Sequence, residues 1–336
     1  MLKDIIPDLA NETKNPAPAP VVLPASLRAG SEHPQHYVPD KGLVDAIRAA
    51  LLLRRPLLLT GEPGTGKTQA GHYLSWKGGF GEEALRFEAK STSVARDLFY
   101  TYNTIGRFHA AQTREGSQNR LDYITYNALG EAILRANHQE AVKNYLPADW
   151  QHPGEPAQSV VLVDEIDKAP RDFPNDLLNE IEHFRFRIPE FNNIEIRAQR
   201  EFAPVVLITS NSEKNLPAAF LRRCVYYHIA KPDEKRFAGI LEARLGFNPN
   251  APLHKDAIDF LMYLRGKDAD LHKKPATAEL LDWLLVLHAK GAAQNQRFKE
   301  IVPLVEQTLS TVIKDEGRDG PKLLQDFLSG LPGKSS

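Results

Sequence analysis

Eight residues, 61–68, have the composition and spacing of a phosphate-binding loop and read GEPGTGKT. Glycines allow several backbone N–H groups to turn towards one anion, and the N-terminus of a following helix adds partial positive charge. We expect Lys67 to reach the β- and γ-phosphates of a nucleotide and the Thr68 hydroxyl to bind Mg²⁺. The predicted nucleotide-binding residues of this loop are Gly61, Glu62, Pro63, Gly64, Thr65, Gly66, Lys67 and Thr68.

A pair of acids follows an apolar run further along the chain, where residues 160–167 read VVLVDEID. Such a run predicts a buried parallel strand, and ligands bind at the carboxyl ends of these strands in open α/β sheets. Asp164 is suited to hold Mg²⁺, and Glu165 is suited to orient and deprotonate the attacking water. On its own, an apolar run followed by two acids is weak evidence for a functional site. The phosphate-binding loop in the same chain strengthens that interpretation. Asp167 and Lys168 come next, and we expect them to form a surface ion pair, with a role in the site as the alternative.

Three further residues could act on the terminal phosphate of a nucleotide. Residues 205–209 form another apolar run, VVLIT, which leads to Asn211. The Asn211 amide can position the hydrolytic water between the γ-phosphate and Glu165. Arg222 and Arg223 end the segment LPAAFLRRC, and two adjacent arginines suit the transition-state charge on a neighbouring subunit better than they suit a core. The sequence does not decide between these two arginines. The predicted catalytic residues are Lys67, Glu165, Asn211, Arg222 and Arg223.

These residues need a scaffold, and short apolar runs alternate with helical patterns up to residue 231. The strand candidates are residues 56–60, 85–89, 159–163, 205–209 and 225–229. Strands that are separated by helices predict βαβ units with right-handed crossovers. The predicted fold class is therefore α/β, with an αβα sandwich around a parallel sheet as in P-loop NTPases.

Two helices and one hairpin have clear local signals. Asp40 can cap a helix whose apolar stripe runs through Leu43, Ile47 and Leu51, and a second helix should cover residues 67–76. Residues 184–197 alternate between apolar and polar side chains on both sides of a Pro and Asn-Asn centre. That pattern predicts an antiparallel hairpin.

Strand patterns stop after Pro232. Helical periodicity then covers residues 235–245, 256–264, 277–287 and 298–312. One helical stripe is expected to be core and consists of Leu280, Leu281, Trp283, Leu284 and Leu287. We therefore predict a flexible Pro/Ala-rich arm over residues 1–34, a nucleotide-binding αβα domain over 35–231, a smaller all-helical lid domain over 232–329 and a flexible tail over 330–336.

Composition and charge limit the function classes. The 336 residues carry a net charge of −1, so no overall basic excess indicates a nucleic-acid groove. The single cysteine, Cys224, excludes an internal disulfide framework and is expected to be a small apolar residue of a strand. No apolar run reaches the roughly 18 residues of a membrane span. We expect a cytoplasmic protein with neither a membrane nor nucleic acid among its partners. The eleven histidines show no metal-ligand spacing, so Mg²⁺ is the only metal implied.

In chain order, GEPGTGKT, VVLVDEID, ITSN, LPAAFLRRC and a helical region resemble the motifs of AAA+ ATPases, and within them those of the MoxR-like group. The resemblance covers roughly residues 37–290. It implies that ATP is the nucleotide and that Tyr37 and Val38 lie near its adenine. It also implies that Asn211 is the sensor-1 residue and that Arg222 or Arg223 is an arginine finger acting on a neighbouring subunit.

The resemblance also gives roles to two insertions. The hairpin over residues 184–197 resembles the pre-sensor-1 insertion, and residues 91–118 occupy the place of the helix-2 insertion. The aromatic residues singled out in that second stretch are Tyr100, Tyr102 and Phe108. In ring-shaped relatives such loops face the pore or the client, and Phe191 is the expected client contact.

The function that the resemblance implies is the coupling of ATP binding and hydrolysis to the remodelling of a protein client or partner complex, as in chaperones. The implied partners are further copies of the chain in a ring, a hexamer by resemblance, and a protein client. A separate von Willebrand A domain protein is a candidate partner. One position departs from the family, because the expected place of the sensor-2 arginine holds Ala278 or Glu279. Either Lys274 replaces that arginine from one turn earlier or the role is missing.

Two other functions stay open. The chain could bind ATP as a slow-turnover switch or scaffold, which the missing sensor-2 arginine favours. It could be a nucleic-acid motor, since DEID resembles a helicase box, but no strand pattern after residue 231 supplies a second RecA-like domain. A GTPase would need an N-K-x-D base reader, and residues 211–214 read Asn-Ser-Glu-Lys instead.

Overall fold

The computed structural model describes residues 32–113, 117, 119–211, 216–266, 269–315 and 319–330. They form two compact units: Pro39–Lys231, and the described residues from Pro232 onwards together with those before Pro39. The arm predicted over residues 1–34 lies outside the described residues as far as residue 31, and the predicted tail does so from residue 331.

The first unit is built on a parallel sheet. Its strands are Leu57–Thr60 (β1), Leu85–Glu88 (β2), Tyr100–Tyr102 (β3), Ile124–Tyr126 (β4), Val160–Asp164 (β5), Arg185–Ile188 (β6), Ile194–Arg197 (β7), Val205–Ser210 (β8) and Val225–His228 (β9). Five of them form one parallel sheet in the order β2-β5-β8-β1-β9, and β3–β4 and β6–β7 form two antiparallel pairs. The five predicted strands are the five strands of the sheet, and the predicted hairpin is β6–β7. The predicted α/β fold class is therefore confirmed.

Helices connect these strands. They are Lys41–Leu53 (α1), Lys67–Gly78 (α2), Thr104–Thr113 (α3), Ala128–Arg135 (α4), Gln139–Val142 (α5), Phe173–His183 (α6) and Ala218–Arg223 (α7). As predicted, Asp40 caps α1, and its side chain accepts a hydrogen bond from the Leu43 N–H at 2.8 Å. Its buried face continues through Ala50, whereas Leu51 is 36% exposed, so the predicted stripe is wrong at that residue. The 3.6-residue period brings Ala50 rather than Leu51 onto the face that Leu43 starts.

Helices cover both faces of the sheet. Successive strand residues point to opposite faces, so Leu162 of β5 faces away from its neighbours Val161 and Val163. On the Leu162 side lies α2, where a Cβ added at Gly71 would lie 3.1 Å from Leu162 Cδ1, so glycine permits the close approach. On the other side, Val161 and Val163 join one buried cluster with residues of α4 and α6, namely Leu129, Ile133, Leu177 and Leu178. The first unit is therefore an αβα sandwich.

The second unit is helical, and its described residues contain no strand. Its helices are Glu234–Leu245 (α8), Pro252–Arg265 (α9), Thr277–Ala289 (α10), Val302–Glu306 (α11) and Gly320–Gly330 (α12). The predicted core stripe on α10, from Leu280 to Leu287 with Trp283 at its centre, is buried. No helix in the described part of the chain has both the length and the apolar character needed to cross a membrane.

The helix predicted over residues 298–312 is wrong as one element. The segment divides into a 3-10 turn at Phe298–Glu300, the short helix α11 and a second 3-10 turn at Leu309–Thr311. Pro303 lies in the first turn of α11, where its missing N–H is tolerated. At the other end, the Thr308 hydroxyl bonds to helix carbonyls and accepts from Trp283 Nε1 at 2.8 Å. Helix α12 was not predicted.

Candidate active site

The loop between β1 and α2 adopts backbone angles that favour glycine. Gly61, Gly64 and Gly66 have φ values of 149°, 76° and 89°. At Gly61 a Cβ would also lie 2.7 Å from the carbonyl oxygen of Ile229, so a side chain is excluded there. Gly66 is the N-cap of α2, and the first N–H groups of a helix have no partner inside it. The loop therefore leads directly into a helix start that can bind an anion.

Lys67 lies inside this loop. Its side chain is buried, and Nζ donates to the carbonyl oxygens of Gly61 at 2.8 Å and Glu62 at 2.9 Å. Burial lowers the pKa of Lys67, and the nearby carboxylates act in the opposite sense. Those carboxylates belong to Asp167, Asp164, Glu165 and Glu62. The predicted loop lysine thus sits in a cluster with more acids than bases.

Asp164 ends β5 and is 2% exposed. Both of its carboxylate oxygens lie 3.1 Å from the Thr68 Oγ1, so the two residues predicted to bind Mg²⁺ are in contact. The Thr209 hydroxyl donates to Oδ1 at 2.5 Å. Arg86 of β2 forms an ion pair with Oδ2, with Nε at 2.9 Å and Nη2 at 2.7 Å.

Glu165 has a left-handed backbone with φ 56°. That conformation costs about 1–2 kcal/mol for a residue with a Cβ. The N–H of Glu165 donates to the Thr209 Oγ1 at 2.9 Å. Its Oε1 lies 3.5 Å from the Asn211 Nδ2, at the long limit of a hydrogen bond. The acid and the amide that were predicted to handle the water therefore lie side by side at the ends of β5 and β8.

The expected ion pair between Asp167 and Lys168 is wrong. Lys168 Nζ instead contacts Glu165 Oε2, and this hydrogen bond raises the pKa of Lys168. Asp167 Oδ1 accepts the backbone N–H of Asn211 at 3.0 Å. Both residues follow Glu165 in a 3-10 turn, Ile166–Lys168, which directs their side chains to different partners.

Arg222 and Arg223 lie apart from this cluster, at the C-terminal end of α7, and both are exposed. Cys224 follows them and is buried, which raises its pKa to about 12. It precedes β9 instead of lying within a strand, so its predicted placement is off by one residue.

The remaining predicted site residues belong to the second unit. Tyr37 is buried and Val38 is half-buried, directly after a 3-10 turn at Pro34–His36 that contacts α8. Lys274 Nζ donates to the Arg265 carbonyl oxygen at 2.8 Å. Glu279 caps its own helix by accepting the Ala276 N–H at 2.7 Å.

The aromatic residues of the two insertions differ in exposure. Tyr100 is buried and donates its hydroxyl to Glu190 Oε2 at 3.0 Å, and burial raises its pKa. Phe191 packs against the hydrophobic core, as does Tyr102. Phe108 on α3 is 62% exposed. Residues 114–116 and 118 of the predicted insertion lie outside the described residues. Tyr100 is thus a core residue, whereas Phe191 is partly buried against the core and keeps part of its surface exposed.

Sequence reasoning missed Arg86 and Thr209. Arg86 had one signal, a charged residue inside an otherwise strand-like run, and its meaning depends on β2 pairing with β5 so that Glu88 is opposite Asp164. Thr209 had a weaker one, a hydroxyl at the end of the apolar run VVLIT. Among the described residues, no group of three or more His, Cys, Asp or Glu side chains forms a further metal site.

Comparison with known proteins agrees with this geometry. A family described as the AAA domain, dynein-related subfamily, matches residues 56–224, which is just over half of the chain. No curated protein matches the sequence. The matched span contains the phosphate-binding loop, both acids, Asn211 and both arginines. The chain therefore belongs to the dynein-related subfamily of the AAA domain family and is an ATP-hydrolysing P-loop NTPase.

Proposed function

We propose that this protein couples the binding and hydrolysis of Mg·ATP to the remodelling of a protein client, as a MoxR-like AAA+ ATPase. The observation that carries the proposal is the set of contacts at the carboxyl edge of the sheet. Thr68 contacts Asp164, and Glu165 contacts Asn211. Three separate stretches of sequence thereby bring together the pair proposed to bind the metal and the pair proposed to handle the water.

Charge supports a requirement for a divalent cation. Lys67 is surrounded by carboxylates of Asp164, Glu165, Asp167 and Glu62. The phosphates of a nucleoside triphosphate would be repelled by the excess negative charge here, and a bound cation would neutralise part of that charge. Thr68 and Asp164 offer a hydroxyl and a carboxylate oxygen, which are the hard oxygen ligands that Mg²⁺ prefers. Bound there, Mg²⁺ would neutralise charge on the phosphates.

Lys67 is suited to bind the phosphates. Its ammonium is held within the loop by two carbonyl oxygens, so it already lies where a loop-bound phosphate would arrive. Charged phosphate oxygens form stronger hydrogen bonds than neutral carbonyls do. We expect Lys67 to exchange one type of acceptor for the other when ATP binds.

Glu165 is suited to take a proton from the attacking water. Its carboxylate lies at the end of β5, and Asn211 contacts one of its oxygens. General base catalysis of this kind contributes about 10²–10⁴-fold to a rate. The Asn211 amide would orient both the carboxylate and the water.

A neighbouring subunit would supply the last charge. Arg222 and Arg223 are exposed on the surface at the end of α7. An arginine given in trans contributes about 10³–10⁵-fold in related phosphoryl-transfer enzymes. We therefore propose that the active form is a ring of copies of this chain, with a hexamer as the expected size.

We also propose a client contact on α3, because Tyr100 is buried and Phe191 is partly buried against the core. Ile105 and Phe108 are 82% and 62% exposed and lie three residues apart, on one side of that helix. Exposed apolar side chains so close together are suited to hold an unfolded or partly unfolded segment. A separate protein with a von Willebrand A domain is the proposed partner that presents the client.

A slow-turnover switch is the second candidate, and one contact favours it. Lys168 holds one oxygen of the Glu165 carboxylate in an ion pair. While that pair is closed, this oxygen is not available to accept a proton from the attacking water, so hydrolysis would be slow until the pair opens. Single-turnover hydrolysis by the parent protein, compared with that by Glu165→Gln, separates the two candidates, because a switch would show equally slow rates.

A subunit-mixing experiment tests the hydrolytic roles and the trans arginine together. Glu165→Gln lacks the base but keeps the arginines, whereas Arg222→Ala/Arg223→Ala lacks the arginines but keeps the base. Each variant alone should bind ATP and hydrolyse it at least about 10²-fold more slowly than the parent. Mixed from dilute solution before assembly, the two should recover turnover, because some sites then combine an intact base with a neighbour's arginine.

The matched control is Glu140→Gln, which removes an exposed acid whose partner is Lys143 on the surface. It should leave turnover unchanged. Parental turnover by Glu165→Gln would overturn the role of the base. A mixture no faster than its components would overturn the trans arginine. Recovery of nucleic acid instead of protein with ATP-bound Glu165→Gln would favour the motor over the remodeller.

A further inference from the structure

Thr209 lies near the carboxyl end of β8, between β1 and β5, and is fully buried. Its Oγ1 donates to Asp164 Oδ1 at 2.5 Å and accepts the N–H of Glu165 at 2.9 Å. A threonine hydroxyl has one proton and two lone pairs. The proton is committed to the side chain of one acid, and a lone pair is committed to the backbone of the next. One oxygen atom thus connects both acids of the site.

The backbone of Glu165 depends on such a connection. Its left-handed conformation at φ 56° is unfavourable for a residue with a side chain and persists where the surroundings hold it. The Thr209 oxygen holds the N–H side of this turn, and the Lys168 N–H holds the carbonyl side at 2.9 Å. The turn decides the direction in which the Glu165 side chain leaves the end of β5. The hydroxyl therefore helps to set where that carboxylate stands relative to Asp164.

We propose that Thr209 is a positioning residue for ATP hydrolysis, which fixes the carboxylates of Asp164 and Glu165 relative to each other. The inference rests on the proposed roles of those two acids. Thr209 is fully buried, so it acts through its two partners. Without its hydroxyl, Asp164 Oδ1 loses the donor that Thr209 supplies, while Oδ2 keeps Arg86, and the N–H of Glu165 loses its acceptor.

Nucleotide binding should be spared by this loss. The phosphate-binding loop follows β1, and its lysine is held by the loop's own carbonyl oxygens at Gly61 and Glu62. Neither contact involves Thr209. A displacement of about 1 Å in a catalytic group can reduce a rate by about 10²-fold. The expected signature is therefore a change in kcat with little change in KM for ATP.

The experiment compares Thr209→Val with Thr209→Ser in the full chain. Valine keeps the shape and removes the hydroxyl, and serine keeps the hydroxyl. Steady-state hydrolysis should show kcat reduced by about 10–100-fold in the valine variant, with KM for ATP within about threefold of the parent. The serine variant should recover kcat to within about fivefold of the parent. A fluorescent ATP analogue measures binding directly and shows whether each variant is folded.

Thr60→Val is the matched control. Thr60 is equally buried at the end of the neighbouring strand β1, and its hydroxyl contacts Tyr226 and His228 instead of the acids. Its kcat should stay within about twofold of the parent. A loss in Thr60→Val as large as that in Thr209→Val would show that removing any buried strand-end hydroxyl slows the enzyme, which would overturn the proposal.

Two other results would also overturn it: a parental kcat in Thr209→Val, or a serine variant as slow as the valine variant. If Thr209→Val does not fold, Thr209→Ala takes its place against the same serine variant and with the same readouts. A failure of the proposed function looks different, because the parent chain would then not hydrolyse ATP or Glu165→Gln would hydrolyse it at the parental rate.

Discussion

The ion pair between Arg86 and Asp164 leads to a prediction about stability. Arg86→Met removes the guanidinium and keeps most of the aliphatic stem. Asp164 would then keep the hydroxyls of Thr68 and Thr209 as donors and lose the positive charge beside it. Because Asp164 is 2% exposed, water cannot easily take the place of that partner.

The magnitude follows from the exposure of the two groups. Unit charges 4 Å apart attract by about 4 kcal/mol at an effective dielectric constant of 20. Removing one partner of a fully buried pair costs about 3–5 kcal/mol, whereas exposed pairs contribute about 0–1 kcal/mol. The Arg86 side chain is 44% exposed and that of Asp164 is 3% exposed. Between these limits we expect the free energy of unfolding of the first unit to fall by about 1–3 kcal/mol.

Hydrogen exchange of the backbone amides in β2 and β5 measures this change within the first unit, because exchange reports local and global opening separately. The control is Glu88→Gln, which removes the exposed second partner of Arg86, 3.6 Å away, and should change stability by less than about 0.5 kcal/mol. Arg86→Lys keeps the charge but not the planar donor pair, so its effect should be intermediate. Parental exchange in Arg86→Met would show that Asp164 does not depend on Arg86.

The same variant tests the proposed metal site. A bound Mg²⁺ would bring positive charge to Asp164, so the deficit of Arg86→Met should shrink in saturating Mg²⁺ and a non-hydrolysable ATP analogue. A deficit of the same size with and without the ligand would count against Asp164 as a Mg²⁺ ligand.

Thr308→Val keeps the shape of a buried side chain but removes the oxygen that accepts from Trp283 Nε1, so urea unfolding of the helical unit should show a loss of about 1–3 kcal/mol. Thr308→Ser should retain most of the stability, and a valine variant as stable as the parent would contradict the reasoning. His254 and His288 are joined by a 2.7 Å hydrogen bond between their Nε2 atoms, and burial lowers the pKa of both below the usual 6.5. Because these histidines protonate more readily in the unfolded chain, stability of the helical unit should be highest above about pH 6.5 and fall as the pH drops below it, by up to about 1.4 kcal/mol per histidine per pH unit. Urea unfolding near neutral pH and about one pH unit below 6.5 measures how the free energy of unfolding changes with pH. His288→Gln should reduce that change. Equal stability at both pH values would refute the linkage.

The sheet and its edge could be predicted because their signals are local. An apolar run marks a buried strand wherever it pairs, and the carboxyl ends of parallel strands meet at one edge. The neighbourhood of Thr68, Asp164, Glu165 and Asn211 follows from those two rules. The phosphate-binding loop at residues 61–68 could be predicted for the same reason. Its glycines are required by the backbone angles at their own positions and not by any distant partner.

Partners set by strand pairing could not be predicted in the same way. Arg86 reaches Asp164 because β2 pairs with β5 in a register that the sequence of either strand leaves open. Thr209 reaches both acids because β8 lies beside β5. In the helical unit, Trp283 of α10 likewise reaches the Thr308 hydroxyl, which lies just after α11. Each of these contacts joins segments that are distant in the sequence and come together only in the folded protein.

The β6–β7 hairpin and the segments around β3 and β4 share one small aromatic core, which constrains how the protein can change. Phe186 of the β6–β7 hairpin stacks on Phe99 at 5.1 Å and meets Tyr126 of β4 edge-on at 6.2 Å. The tip of that hairpin is held by the Tyr100 hydroxyl at Glu190. A change in either element that moves these rings would therefore have to be matched by a change in the other. Through these contacts, segments almost a hundred residues apart in the chain depend on each other for their packing.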